Sequence, residues 1–184
     1  MKVDLRTLHS ELQPLSKLTE ASLPEDVSSF ARIWLDLKGQ RSAPDKSDIQ
    51  PSRIRPRLLP NIMLWDVLDG DFRVRLAGTA YRDRAVQELS GQLLSEVYGD
   101  NMEMRHEFES VAYREHYSFI EQHVCWRGGK WGLRSRLLLP LSMENGAARH
   151  LVGFIGPGFR YELAPDGSVR RTTLPGDMLH QGAV

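Results

Sequence analysis

Apolar residues along the chain recur with two periods. From Pro24 to Leu37 the period is helical: Phe30, Ile33, Trp34 and Leu37 fall at i, i+3, i+4 and i+7 and form one stripe. Pro24-Glu25-Asp26 supplies helix-start chemistry and Gly39 a stop. From Asn101 the helical period returns, with Met104, Phe108, Val111, Ala112 and Glu115 on one side and charges elsewhere. Two shorter helical candidates, Arg82 to Leu89 and Leu93 to Tyr98, are separated by Ser90-Gly91.

Three other stretches alternate and carry hairpin turns. In Asn61 to Thr79 the turn pair is Asp69-Gly70, which sets Val67 against Phe72, Trp65 against Val74 and Met63 against Leu76. The reverse face then holds Asp66 with Arg73 and Leu64 with Arg75. In Tyr117 to Leu141 the turn is Gly128-Gly129, read as a two-residue connection with Arg127 facing Lys130 and Trp126 facing Trp131. That register pairs Gln122 with Ser135, Ile120 with Leu137 and Ser118 with Leu139 on a mostly apolar face. The opposite face pairs His123 with Arg134, Glu121 with Arg136 and Phe119 with Leu138. Asn145-Gly146 gives the third turn, placing Leu139 beside Val152 and Leu137 beside Phe154. A sheet with one buried and one wetter face follows from these patterns.

Between and around these elements, residues 1–22 read as a mobile arm with a short helix, the alternative being that its leucines form a docking helix. Residues 23–160 read as one domain, and 161–184 as a polar tail with a turn at Asp166-Gly167. Residues 40–60 hold prolines without a period and form an ordered connector. Its basic residues, Arg41, Lys46, Arg53, Arg55 and Arg57, alternate with acids and lack interleaved aromatics, so a solvated loop is expected rather than a phosphate or nucleic-acid surface.

Composition narrows the function classes. The 24 basic and 24 acidic residues balance, so no whole-molecule field draws the chain to nucleic acid or an anionic membrane. A single cysteine, Cys125, excludes an internal disulfide framework and fits a reducing compartment. No uncharged run approaches a membrane span and the start lacks a signal-peptide core, so a cytoplasmic setting is expected. Nucleophile-elbow, zinc-protease and phosphate-loop motifs are missing, and no catalytic residue is assigned.

The element order is helix, proline-rich connector, two strands, short helices, a longer helix and three strands. With Trp34-Leu35, Pro44, Asp48, Pro51, Leu58-Leu59-Pro60, the run Asp71 to Thr79 (DFRVRLAGT) and Leu89-Ser90-Gly91, the chain resembles the PAS domain family over roughly residues 27 to 156. Within that family it is similar to a subgroup of small stand-alone proteins known best from alphaproteobacteria. The resemblance implies an α+β fold with a five-stranded antiparallel sheet, short helices on one face and an N-terminal cap helix. It also implies a non-catalytic sensory or scaffolding role in bacterial signalling. No output domain is evident, so action through a signalling protein partner is expected, with homodimerisation alongside it.

PAS domains often hold a ligand between the inner sheet face and the short helices. On that pattern the candidate ligand-binding residues are Trp65, Val74, Leu76, Ile120, Gln122, Ser135, Leu137 and Phe154. Gln122 and Ser135 form a polar notch that either orients a small molecule or closes on itself in a filled core. The candidate partner surface is Phe30, Ile33, Trp34, Leu37, Glu121 and Arg136. No cofactor is assigned: the flavin-binding cysteine run is missing, and His106 and His116 do not continue the apolar stripe as a haem ligand would. His116, His123 and Cys125 match no zinc spacing. A Cys125 thiol activated by His123 or Arg134 is a third reading, with redox sensing as its consequence.

Overall fold

The computed structural model describes residues 4–82, 88–126, 130–156, 159–163 and 169–172. Its strands are β1 (Asp4–Pro14), β2 (Ile62–Val67), β3 (Phe72–Ala77), β4 (His116–Trp126), β5 (Lys130–Glu144), β6 (Ala147–Ile155), β7 (Phe159–Leu163) and β8 (Val169–Thr172). Helices are α1 (Glu25–Lys38), α2 (Thr79–Arg82), α3 (Leu94–Tyr98) and α4 (Met102–Tyr113). The sheet runs β1-β4-β5-β6-β2-β3, all antiparallel neighbours, and β7 and β8 extend it from the far end of β5.

The five strands β2 to β6 are those expected. The N-terminal arm adds one more, because residues 4–14 pair along β4, and a 3-10 turn at Leu15–Glu20 follows. Part of the polar tail is also paired, with Glu162 opposite Arg170 and Tyr161 opposite Arg171.

Both faces of the sheet are covered. α1 is the cap helix; Phe30 and Trp34 lie 1% exposed against Leu137, Leu139, Val152 and Phe154. The Phe30 ring stacks on Phe154 at 4.7 Å, and the Trp34 indole donates to the Pro140 carbonyl at 3.0 Å. Gly39 ends α1 with φ of 55°, a left-handed conformation that glycine takes without steric cost. The other face is closed by α4, whose Met104, Phe108, Val111 and Ala112 are buried, as their spacing predicts. Glu115 does not extend that stripe: the helix stops at Tyr113, and Glu115 turns the chain with φ of 52°.

The hairpin registers divide into those that hold and one that slips. Asn145 and Gly146 have φ of 50° and 80°, as a two-residue turn with both centres left-handed requires, and Leu139 pairs Val152 while Leu137 pairs Phe154. In β2–β3, Val67–Phe72, Asp66–Arg73 and Trp65–Val74 are paired as predicted, but a bulge follows. Leu64 then meets Leu76 and Met63 meets Ala77, so Leu76 leaves the inner face and is 47% exposed. In β4–β5, Trp126 pairs Lys130, not Trp131, with residues 127–129 outside those described. The connection is one residue longer than two, and in a structure of period two that slip reverses every side chain of β5. Gln122 therefore meets Arg134, Glu121 meets Ser135 and Ile120 meets Arg136.

The motifs that carry the family resemblance serve this architecture. Gly78 packs so tightly that a β-carbon there would lie 2.3 Å from the Pro60 carbonyl oxygen. Gly91 has φ of 87°, and its amide bonds the Val74 carbonyl at 2.7 Å while Val74 bonds Gln92 in return, covering the edge of β3. The Asp71 carboxylate accepts from the Ser95 hydroxyl at 2.6 Å and from the Phe72 amide at 2.7 Å. Asp48 receives Arg41 and Arg53 and orders the connector, which docks through Ser142, whose amide bonds the Pro44 carbonyl. The basic residues of the connector are thus partly consumed by local ion pairs.

Candidate ligand site

Phe108 fills the centre of the α4 face. Its ring meets Trp65 at 5.0 Å and Phe72 at 5.1 Å, both edge-on, and Val74, Leu138, Leu151 and Ile155 complete a packed cluster. Trp65 and Val74 are on the predicted face, but they pack in this cluster and are not among the residues lining the pocket at the flank of the sheet.

Open space lies at the flank, where β1 and β4 run beneath the first turns of α4. A pocket of about 480 Å³ is lined by Ser10, Leu12, Asn101, Glu103, Met104, His106, Glu107, Ser118, Ile120 and Gln122. The alternation of β4 explains three of these residues, since Ser118, Ile120 and Gln122 share one face of the strand. α4 and its cap explain five more, His106 among them. Asn101 caps it by accepting from the Met104 amide at 2.9 Å, and Glu103, Met104 and Glu107 lie three and four residues apart on the side facing β4. β1 supplies Ser10 and Leu12 and so forms the outer wall.

One wall is held by a buried charge network. The Arg136 guanidinium donates to Glu107 Oε2 at 2.5 Å, and the Ser118 hydroxyl donates to Glu107 Oε1 at 2.7 Å. Arg136 also contacts Met104 Sδ at 3.4 Å and lies 5.6 Å from the centre of the Phe108 ring. Burial acts to strip the proton from Arg136, but Glu107, aided by Tyr98 and Tyr81, outweighs it and raises the guanidinium above its ordinary range. The guanidinium is therefore held charged against Glu107. A buried charge needs such a partner, because its desolvation otherwise costs several kcal/mol, roughly the whole stability of a small domain.

Gln122 has no such satisfaction. It is 4% exposed, and among the described residues its side-chain oxygen has no hydrogen-bond partner. An unmet buried acceptor costs about 1–3 kcal/mol. Its location on the wall of a pocket supplies an obvious place for a donor.

Of the predicted ligand residues, the structure brings Ile120 and Gln122 to the pocket. Ser135, Leu137 and Phe154 lie across the sheet on the α1 side, for the register reason given above. Ser135 packs instead against Gly156, where an added β-carbon would meet its hydroxyl at 2.2 Å. The polar notch does not exist as a pair. Among the predicted partner residues, Phe30 and Trp34 are inside the chain's own core, Ile33 and Leu37 are half-buried, and Glu121 lies on the α1 side. Arg136 faces α4 and is 4% exposed, so it is removed from the partner surface. His106 is exposed at the pocket wall, while the His116 ring nitrogen contacts the Arg114 carbonyl at 2.6 Å. The side chains of His123 and Cys125 lie outside those described. Sequence reasoning missed Glu107, although it sits three residues after Met104 and one before Phe108. That spacing places a carboxylate at the edge of a buried stripe, where a cation from elsewhere must meet it.

The family whose pattern matches the chain is the PAS domain, over residues 24–156. A solved structure described as an RNA-binding Light-Oxygen-Voltage receptor is similar at 16% sequence identity, with a TM-score of 0.44. The match covers 80% of this chain and 38% of that one, so the chain spans well under half of its length. No curated protein matches.

Proposed function

The chain belongs to the PAS domain family, and from that premise we propose that it senses a small molecule held between α4, β4 and β1 and reports to a protein partner. PAS domains are sensory and signalling modules that are generally non-catalytic and commonly mediate protein interactions. Among the described residues no helix is long and apolar enough to cross a membrane. The observation that carries the ligand reading is Gln122: a buried amide oxygen without a partner, on the wall of a pocket of about 480 Å³. That volume lies within the range of small-molecule sites, roughly 300–1,000 Å³. The packed centre around Phe108 moves the ligand from the middle of the sheet to its flank.

Native mass spectrometry of protein purified from its own host tests this. A retained mass of a few hundred daltons is expected, and Ser10→Trp, which fills the pocket from the exposed side of β1, should remove it. A bare chain whose spectra do not change on adding host small-molecule extract would reject the reading.

The filled cluster around Phe108 favours a second reading, a ligand-free interaction or homodimerisation module. α1 spends Phe30 and Trp34 on its own core, which leaves Ile33 and Leu37 as the helix's apolar contribution to a partner. Light scattering of Ile33→Glu/Leu37→Glu addresses it: an unchanged oligomeric mass would exclude α1 as a dimer surface.

A further inference from the structure

We propose that the pocket between α4, β4 and β1 takes a positively charged hydrogen-bond donor, a small amine, amidine or guanidine on a compact apolar body. This rests on the reading of that pocket as the ligand site. Several of the polar atoms on its wall are acceptors with no donor of their own chain to meet, although Gln122 lies opposite Arg134, whose Nε is likewise buried and unpartnered among the described residues. Ser118 has committed its proton to Glu107 Oε1, so the hydroxyl turns only lone pairs elsewhere. Gln122 presents an unpartnered oxygen while 4% exposed. The Asn101 side-chain oxygen already points along the cap of α4 toward the Met104 amide.

Charge points the same way. Glu103 and Glu107 place two carboxylates on the wall, and among the described residues no lysine or arginine lines it. Arg136 neutralises Glu107 from outside the lining, and among the described residues no ion pair neutralises Glu103. An anion entering this space would meet the Glu103 charge with only the exposed His106 to answer it. A cation meets Glu103 and the remaining lone pairs of Glu107, with Gln122 to accept one of its protons. Leu12, Met104 and Ile120 supply the apolar surface for the body of the molecule.

The test uses three probes of one shape, benzamidine, benzamide and benzoate, which carry positive, zero and negative charge. Each is titrated into the 15N-labelled full chain, and amide shifts of residues 101–107 and 118–122 are followed. Benzamidine should move those signals with affinity on the order of tenfold above benzoate. Glu103→Gln, an exposed change that leaves the core untouched, should weaken benzamidine about threefold or more, and Gln122→Leu by about tenfold. If benzamide or benzoate binds as tightly as benzamidine, the cationic-donor assignment is overturned while the pocket stands as a ligand site. If none of the three shifts these residues, both fail. Binding of benzamidine that neither variant weakens would place it elsewhere and also overturn the proposal.

Discussion

Glu107 of α4 and Arg136 of β5 form an ion pair inside the protein, with side chains 8% and 4% exposed. The pair joins the helix to the sheet, and its Glu107 lies on the wall of the pocket. Removing one member strands the other charge in a low-dielectric site. Glu107→Gln and Arg136→Met should each lose about 3–5 kcal/mol of stability, and Glu107→Leu/Arg136→Met should recover most of it. Urea unfolding of the three variants measures this. Single-variant losses below about 1 kcal/mol would mean that water reaches the pair.

Gly78 and Gly156 should respond differently to alanine. At Gly78 the new carbon meets the Pro60 backbone, which has nowhere to go. At Gly156 it meets the Ser135 hydroxyl, a single removable atom, with Val27 the next neighbour at 3.1 Å. Each alanine should destabilise by about 1–3 kcal/mol. Adding Ser135→Ala should relieve Gly156→Ala and leave Gly78→Ala unrelieved, as thermal denaturation of the double variants will record.

Gln122→Leu should stabilise the empty protein. It removes a buried oxygen that has no partner and adds apolar contact beside Ile120, for a gain of about 1 kcal/mol in denaturant unfolding. On the proposed ligand reading, retention of a co-purified small molecule should fall in the same variant. A loss of stability would show that the amide is satisfied in solution.

Stability should also depend on His150. Burial, followed by the nearby Lys46, lowers the pKa of this ring below its usual value, with Asp66 opposing the shift. The unfolded chain therefore binds the proton more readily than the folded one. The contribution of His150 is complete above about pH 6.5 and is lost as pH falls from there through the folded value. Urea midpoints should rise with pH between about pH 5 and 7, and His150→Gln should flatten that rise. An equal slope in the variant would assign the dependence to other groups.

The sequence showed where strands and helices lie more reliably than which way their side chains point. Asn145-Gly146 and Asp69-Gly70 are strong turn signals, and the pairings nearest them are correct. Arg127-Gly128-Gly129-Lys130 permits two loop lengths, and the choice reverses β5. Hydrophobicity did not arbitrate, because Leu137, Leu138, Leu139 and Leu141 are all buried, some under α1 and some under α4. A strand buried on both faces does not encode its own register by alternation. The same ambiguity moved Ser135 and Arg136 to the wrong sides. Gln122 was identified through its polarity within an apolar strand, whereas Ser10 and Leu12 were invisible in an arm without a clear period. The family motifs could not have helped. Gly78, Gly91, Asp48 and Asp71 secure turns, edges and the connector, and none of them lines the pocket.

The register of β5 turns Ser135 to the α1 side of the sheet and its sequence neighbour Arg136 to the α4 side. Arg136 is tied to Glu107 at the pocket, and Ser135 presses on Gly156 and, through it, lies near Val27 of the cap helix. Two adjacent residues of one strand thus have their side chains in separate compartments. β5 therefore links the two compartments: one side chain is tied to the pocket wall through Glu107, and its neighbour packs against Gly156 toward the seat of α1. The sheet divides the protein into two rooms, and at this point the partition is one peptide unit thick.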